Sequence, residues 1–214
     1  ARYPERIYSL SLCNSASEMP PRSLWEERFD IARTQGIAGL VDGTIKRWFT
    51  APFIERAPQE IEKVRQMILG TNVNGYMACG SAVRDMAQST MLLKIKTPTL
   101  VLSGQYDPAC TVDQGTVLHR LIDGSKMVVL KDAAHLSNIE QPAAFNSAVR
   151  KFIGSVDKIV DMTSGSYFAL VPAAGGGARM AADLPKQYLS LAGRPMIRQT
   201  LGILCAVPRI ERVF

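Results

Sequence analysis

The sequence predicts an α/β protein with mainly parallel strands. Three observations carry that prediction. Residues 99–103 (TLVLS) form a short, continuous apolar run after Pro98, the pattern of a strand buried on both faces. From there, strand and helix patterns alternate: strand 99–103, helix 112–122 closed by Gly124, strand 126–130, helix 142–153. An acid, Asp107, and a histidine, His135, fall in the loops after the two strands, where sheets of this kind display catalytic side chains.

The elements before this core read as follows. Residues 6–13 (RIYSLSLC) are rich in β-branched, aromatic and aliphatic side chains and predict a strand, with a turn-forming stretch at 14–21. From about residue 23 to 88 the pattern is helical. Ser23 can cap a first helix through Trp25, Phe29 and Ala32. A second helix is expected over 37–49. A third starts at Pro58, carries Glu60 and Glu62 near its amino end and stops at Gly70. Its apolar residues Ile61, Val64 and Ile68 fall at i, i+3 and i+7. A fourth covers about 73–87. Four helices with no strand between them predict a cap inserted into the sheet. In the helix at 142–153, Phe145, Val149, Phe152 and Ile153 form the face that packs on the sheet.

Residues 154–166 hold Gly154, Ser155, Ser164, Gly165 and Ser166 and no sustained period, so the domain boundary is expected there: a first domain at 1–154, a linker at 155–165 and a second domain at 166–214. The second begins with a strand at 168–171 and a glycine-rich loop. A short apolar run follows at 189–191, an amphipathic helix from Pro195 to Cys205, and the opening of another strand at 212–214.

Composition narrows the function classes. Apolar content of 47% and charged content of 21% are those of a soluble globular protein. The net charge of +6 is spread evenly: residues 1–154 hold 18 Lys/Arg against 15 Asp/Glu, and residues 155–214 hold 7 against 4. Without a basic run or an interleaved aromatic stripe, nucleic-acid binding is not expected. Cys13, Cys79, Cys110 and Cys205 lack metal-binding or redox spacing and read as reduced thiols of a cytoplasmic protein. No apolar run is long enough for a bilayer, and no leader is visible. The first residue is Ala1, as expected of a fragment or a processed product.

Asp107 and His135 stand 28 residues apart, in the acid-then-base order of hydrolases whose serine comes first. A nucleophilic serine needs a base to take its proton, and the base needs a buried acid to fix its tautomer. Taken singly, Asp107 also reads as a turn residue before Pro108 and His135 as a satisfied loop histidine; the pair, in order and on strand-end loops, favours catalysis. His119 lies mid-helix and reads as structural or solvated. No Gly-x-Ser-x-Gly occurs in the 214 residues, and neither Ser81 nor Ser103 sits in an elbow sequence.

Four strings together (LVDGTIKRWFTAPF from Leu40, GYMACGSAVRD from Gly75, GQYDP from Gly104 and AAHLSNIEQP from Ala133) resemble the 3-oxoadipate enol-lactonases, α/β-hydrolases of aromatic catabolism. The resemblance covers about residues 1–154. It implies a partial α/β-hydrolase sheet with a helical cap at about 23–88, Asp107 and His135 as triad acid and base, and Trp48 touching a small lactone, although a cap aromatic also reads as packing. It implies ring opening through an acyl-serine. In that family the serine elbow precedes the strand matched by residues 7–12. No lactonase activity is therefore expected of this chain alone.

Residues 170–188 read LVPAAGGGARMAADLPKQY. A strand feeding a glycine loop suits phosphate binding, because backbone N–H groups can approach the oxygens. It is neither a Walker loop nor a dinucleotide fingerprint, and on glycine count alone a flexible loop fits as well. The whole string, continued by LAGRP from Leu191, resembles the start of the 2-C-methyl-D-erythritol 4-phosphate cytidylyltransferases of isoprenoid precursor synthesis, over about residues 166–214. That resemblance implies a partial Rossmann-like nucleotidyltransferase sheet. It places Pro172, Ala173, Ala174, Gly175, Gly177 and Lys186 at CTP, with Arg179 and Lys186 stabilising charge on the triphosphate as a sugar-alcohol phosphate attacks. It also implies Mg²⁺ bridging the phosphates. About 50 residues bury too little surface to form that domain alone. The expectation is a chimeric or fused chain, with cytidylyl transfer and lactone hydrolysis ranked close together, the first ahead for its denser signature. A non-catalytic fusion or truncation product is the third reading.

Overall fold

The computed structural model describes residues 7–157 except 20, together with the short strands at 167–169, 190–191, 194–195 and 210–213. It divides into two units, Ala1–Val160 and Asp161–Phe214.

The first unit is built on a parallel sheet of three strands in the order β1 (Leu10–Cys13), β2 (Thr99–Gly104), β3 (Lys126–Leu130). All six residues of β2 are buried, as its unbroken apolar run requires of a central parallel strand. Its side chains alternate between two helical layers. Leu100 and Leu102 join Leu130, Phe152 and Val156 on the face covered by α9 (Pro142–Asp157). Val101 meets Leu118 and Ile122 of the opposite layer, where α7 (Val112–Leu121) lies. That helix starts with a capping box in which Thr111 and Gln114 satisfy one another's backbone N–H groups. Gly115 lets α7 come this close: a Cβ there would stand 2.2 Å from the Ser103 hydroxyl.

The expected strand at 6–13 is shorter, because β1 pairs only where β2 offers a partner. Leu10 aligns with Thr99, and the Leu10 N–H donates to the Pro98 carbonyl. Ile7 and Tyr8, before that point, are exposed. At the other end, α9 runs past Ile153 to Asp157, since Phe152 and Val156, one turn apart, both enter the core.

Between β1 and β2 lies the helical cap. It comprises α1 (Arg22–Gln35), a 3₁₀ turn (Ile37–Leu40), α2 (Val41–Trp48), α3 (Ala51–Arg56), α4 (Pro58–Leu69), α5 (Val73–Arg84) and α6 (Ser89–Leu92). Ser23 is not the cap of α1; the extended residue Pro21 takes the N-cap position, and its carbonyl accepts the Leu24 N–H. The helix expected over 37–49 divides into the 3₁₀ turn and α2, which ends where Phe49 becomes extended. Helix α3 escaped the sequence reading because its six residues make fewer than two turns, too few to show a helical period. The cap has its own core, with Phe49 stacked on Phe53 at 5.2 Å and Ile61, Val64 and Ile68 of α4 beneath. Among the described residues no helix is long and apolar enough to cross a membrane.

In the second unit, β4 (Tyr167–Ala169) pairs in parallel with β7 (Ile210–Val213), and β5 (Ser190–Leu191) pairs antiparallel with β6 (Arg194–Pro195). Pro195, expected to open a helix, lies in β6, and the rest of that expected helix falls outside the described residues.

Candidate active site

Three segments meet at the carboxyl ends of the strands. Asn14 follows β1, Asp107 sits in the loop after β2, and His135 sits in the loop after β3. The sheet order places the acid's strand between the other two. The crossing of the loops depends on Gly104 at the end of β2, where a Cβ would fall 2.2 Å from the Ala134 carbonyl oxygen.

Asp107 and His135, which the sequence pairs by their order and their places on strand-end loops, are in hydrogen-bond contact. The His135 Nδ1 lies 2.9 Å from the Asp107 Oδ2. A carboxylate only accepts, so Nδ1 carries the proton and Nε2 is left with its lone pair free to act as a base. The Asp107 side chain is fully buried, and the His135 side chain is 24% exposed. Every lone-pair direction of the acid is used. Oδ1 accepts the N–H groups of Ala109 at 2.8 Å and Cys110 at 2.9 Å, and Oδ2 also accepts from the Asn14 side-chain amide at 2.9 Å. Burial pushes the Asp107 pKa up, but the bonds from His135, Cys110 and Asn14 outweigh it and hold the carboxyl below its ordinary range.

A pH dependence follows. A depressed carboxylate pKa contributes stability above its unfolded value, about 4, and loses it as pH falls through the lower folded value. Acid unfolding monitored by circular dichroism is therefore expected to show an acid limb below about pH 4 that is flattened in Asp107→Asn. An unchanged limb in that variant would overturn this assignment.

The sequence marks Asn14 only as part of a turn. Its backbone is left-handed, with φ of 46°. Its amide bridges Asp107 and the Ala134 carbonyl, and its oxygen accepts the Ser137 hydroxyl at 2.5 Å. Glu140, in the short helix α8 (Ser137–Glu140), was also missed. It is 3% exposed and accepts the Ala134 N–H at 2.8 Å, the Thr50 N–H at 3.1 Å and the Thr50 hydroxyl. The cap and the histidine loop are thereby tied together, and the Leu136 N–H donates to the Trp48 carbonyl at 3.0 Å. No local pattern singles out Glu140, since polar residues (His135, Asn138 and Gln141) surround it in sequence.

Trp48 stands beside the histidine, with ring centroids 6.3 Å apart and planes at 30°. Both line a cavity of about 380 Å³ under the cap. A larger hollow of about 670 Å³, near Lys46, Pro52, Tyr106 and Gln141, does not include His135. His119, as expected, is structural: its Nδ1 is 2.8 Å from the Ser125 hydroxyl. Ser103 is buried within β2 and Ser81 lies on α5, so neither is placed as a nucleophile. Asp107, Cys110 and His135 bring one possible metal-ligand atom each within 4.8 Å of the others. The carboxylate is already saturated with donors. The Cys110 thiol is pushed up to about 12 by burial and the Asp107 charge, which keeps it protonated. The set fits an acid–base pair better than a metal. The residues assigned to nucleotide binding (Pro172, Ala173, Ala174, Gly175, Gly177, Arg179 and Lys186) lie outside the described residues.

A parallel sheet with a helical cap and an acid–histidine pair on its carboxyl-end loops defines an α/β-hydrolase fold, and comparison with known proteins agrees. Residues 71–158 match the family described as TAP-like protein. The enol-lactonase of Burkholderia xenovorans LB400 superposes with a TM-score of 0.69 at 37% identity, over 72% of this chain and 58% of that one. In sequence, 3-oxoadipate enol-lactonase 2 of Acinetobacter baylyi is 35% identical over 147 residues, which are 69% of this chain and 55% of that protein. Residues 167–214 match the 2-C-methyl-D-erythritol 4-phosphate cytidylyltransferase family. The enzyme of that name from Nitrosospira multiformis is 59% identical over 49 residues, 23% of this chain and 21% of its own length.

The chain thus joins two homologies. About seven-tenths of it, at the amino end, is homologous to enol-lactonases, and about a fifth, at the carboxyl end, to Rossmann-like cytidylyltransferases. It spans little more than half the length of the curated enol-lactonases it matches and about a fifth of the cytidylyltransferases.

Proposed function

We propose that the first unit carries the acid, the base and the substrate cap of a serine-type hydrolase that opens 3-oxoadipate enol-lactone, with the nucleophilic serine supplied from outside these 214 residues. The observation that carries this reading is the Asp107–His135 contact at the mouth of a capped cavity. In the reaction, the His135 Nε2 takes the serine proton as the oxygen attacks the lactone carbonyl. Asp107 holds the ring and steadies the imidazolium. The proton then goes to the departing enol oxygen. A water, deprotonated by the same nitrogen, releases the acid product and restores the serine. Trp48 of the cap, beside the histidine, forms part of the wall against which the substrate would lie.

The test compares the 214-residue chain with the serine-bearing full-length protein on the enol-lactone. The chain alone is expected to leave the lactone intact. The full-length protein is expected to hydrolyse it, with kcat lowered about 10³-fold or more in His135→Ala. Turnover insensitive to His135→Ala would overturn the proposal.

A second reading has its own support in the dense match at residues 167–214. There the segment would contribute the CTP loop of a cytidylyltransferase, with Arg179 and Lys186 offsetting triphosphate charge, and Mg²⁺ would neutralise the phosphates when bound. Of the two readings, only the hydrolase has its proposed acid and base among the described residues.

A further inference from the structure

Most cap arginines end on a carboxylate. Arg22 pairs with Asp85, Arg33 with Asp30, Arg65 with Asp42, and Arg84 with both Glu26 and Asp85. Arg56 lies exposed over the Phe53 ring. Arg28 of α1 and Arg47 of α2 differ. Both are half-buried and line the cavity that holds His135, and neither forms an ion pair among the described residues. The Arg28 guanidinium lies 5.1 Å over the Trp25 ring, and Arg47 donates to the Thr44 hydroxyl at 3.1 Å.

Two like charges in one hollow repel, and each loses solvation there. Burial lowers the Arg47 pKa, and the charge of Arg28 lowers it further. Among the described residues no Asp or Glu lines this cavity to relieve them. Tyr76 lines it too, and burial pushes its phenol up, so it remains a donor. The remaining wall is largely apolar, with Trp25, Trp48, Val83 and Met86. The volume, about 380 Å³, lies within the range of small-molecule sites.

We propose that Arg28 and Arg47 form an anion subsite that grips the carboxylate of a monoanionic substrate and so presents its carbonyl to His135. Guanidinium groups suit carboxylates because their N–H donors match the planar pair of oxygens. A neutral ester of the same shape leaves both cations uncompensated. The word substrate rests on the hydrolase reading, whereas the subsite itself stands on the unpaired arginines and the cavity.

The test is calorimetric titration of the full chain at pH 7 with hexanoate and with its neutral isostere hexanamide, in wild type, Arg28→Gln, Arg47→Gln, the double variant and Arg47→Lys. Hexanoate is expected to bind at least about tenfold more tightly than hexanamide in the wild type. Each single Gln variant should lose part of that preference and the double variant all of it, while Arg47→Lys keeps part. Equal binding of the two probes by the wild type overturns the subsite. So does a preference that survives in a double variant whose circular dichroism is unchanged. Lactone turnover separates the two proposals, since His135→Ala is expected to lower it about 10³-fold or more in the full-length protein, whereas the hexanoate preference is read on the Arg28 and Arg47 variants. A carboxylate preference without any His135-dependent turnover sinks the hydrolase reading alone. Turnover with no charge preference sinks the subsite alone.

Discussion

Asp107→Asn in the serine-bearing full-length protein is expected to lower kcat for lactone opening by about 10⁴-fold, with KM little changed. The reason lies in the four donors that converge on this carboxylate. An amide has one acceptor oxygen. The backbone N–H groups of Ala109 and Cys110 cannot rotate away, so the amide oxygen turns to them. Its NH₂ then faces the His135 Nδ1. The imidazole must answer by placing its proton on Nε2, the nitrogen that has to accept the serine proton. Geometry is kept and the tautomer is wrong. Steady-state kinetics check the size of the loss, and ¹⁵N NMR of His135 checks its cause. A variant within about tenfold of wild type would remove Asp107 from the catalytic pair.

The second large effect falls on stability. Glu140→Ala is expected to cost about 2–4 kcal/mol, because the N–H groups of Ala134 and Thr50 lose a buried acceptor together. For a unit of this size that corresponds to a fall in Tm of roughly 5–15 °C. Glu140→Gln should cost less, as it keeps one oxygen for one of the two N–H groups. Thermal unfolding by circular dichroism gives the ordering. An alanine variant within about 2 °C of wild type would mean the tie between cap and histidine loop contributes little. The change also bears on catalysis, since Ala134 precedes His135 and Thr50 follows the α2 helix that carries Trp48.

Several parts of this protein are legible because they depend on neighbours in sequence. The run from Thr99 reads as a buried strand without knowledge of its partners, and β2 is buried throughout. Helix α4 is set by Pro58, its acidic first turn and an apolar stripe, all within 12 residues. The acid and the base were legible because each lies a few residues past a strand, and order along the chain implies order across a parallel sheet. The ends of elements were less so. Strand β1 begins where Pro98 allows its partner to begin, and α9 continues because Val156 finds a place in the core. Both are consequences of pairing and packing that no local window contains.

The division between chain and fold has a physical basis. By itself the sequence determined the secondary-structure periods, the helical insertion that becomes the cap, the Asp107 and His135 pair, and the two homologies that meet near residue 160. Tertiary structure alone decided what surrounds that pair. Asn14 reaches Asp107 across 93 positions of sequence, and Thr50 meets Glu140 across 90. Arg28 and Arg47 share a cavity with His135 only because the cap folds over the strand ends. Periodicity records which face of an element is apolar. It does not record which polar side chain from a distant element will satisfy a buried carboxylate, because that choice is made when hydrogen-bonding groups lose water together and must find partners in space.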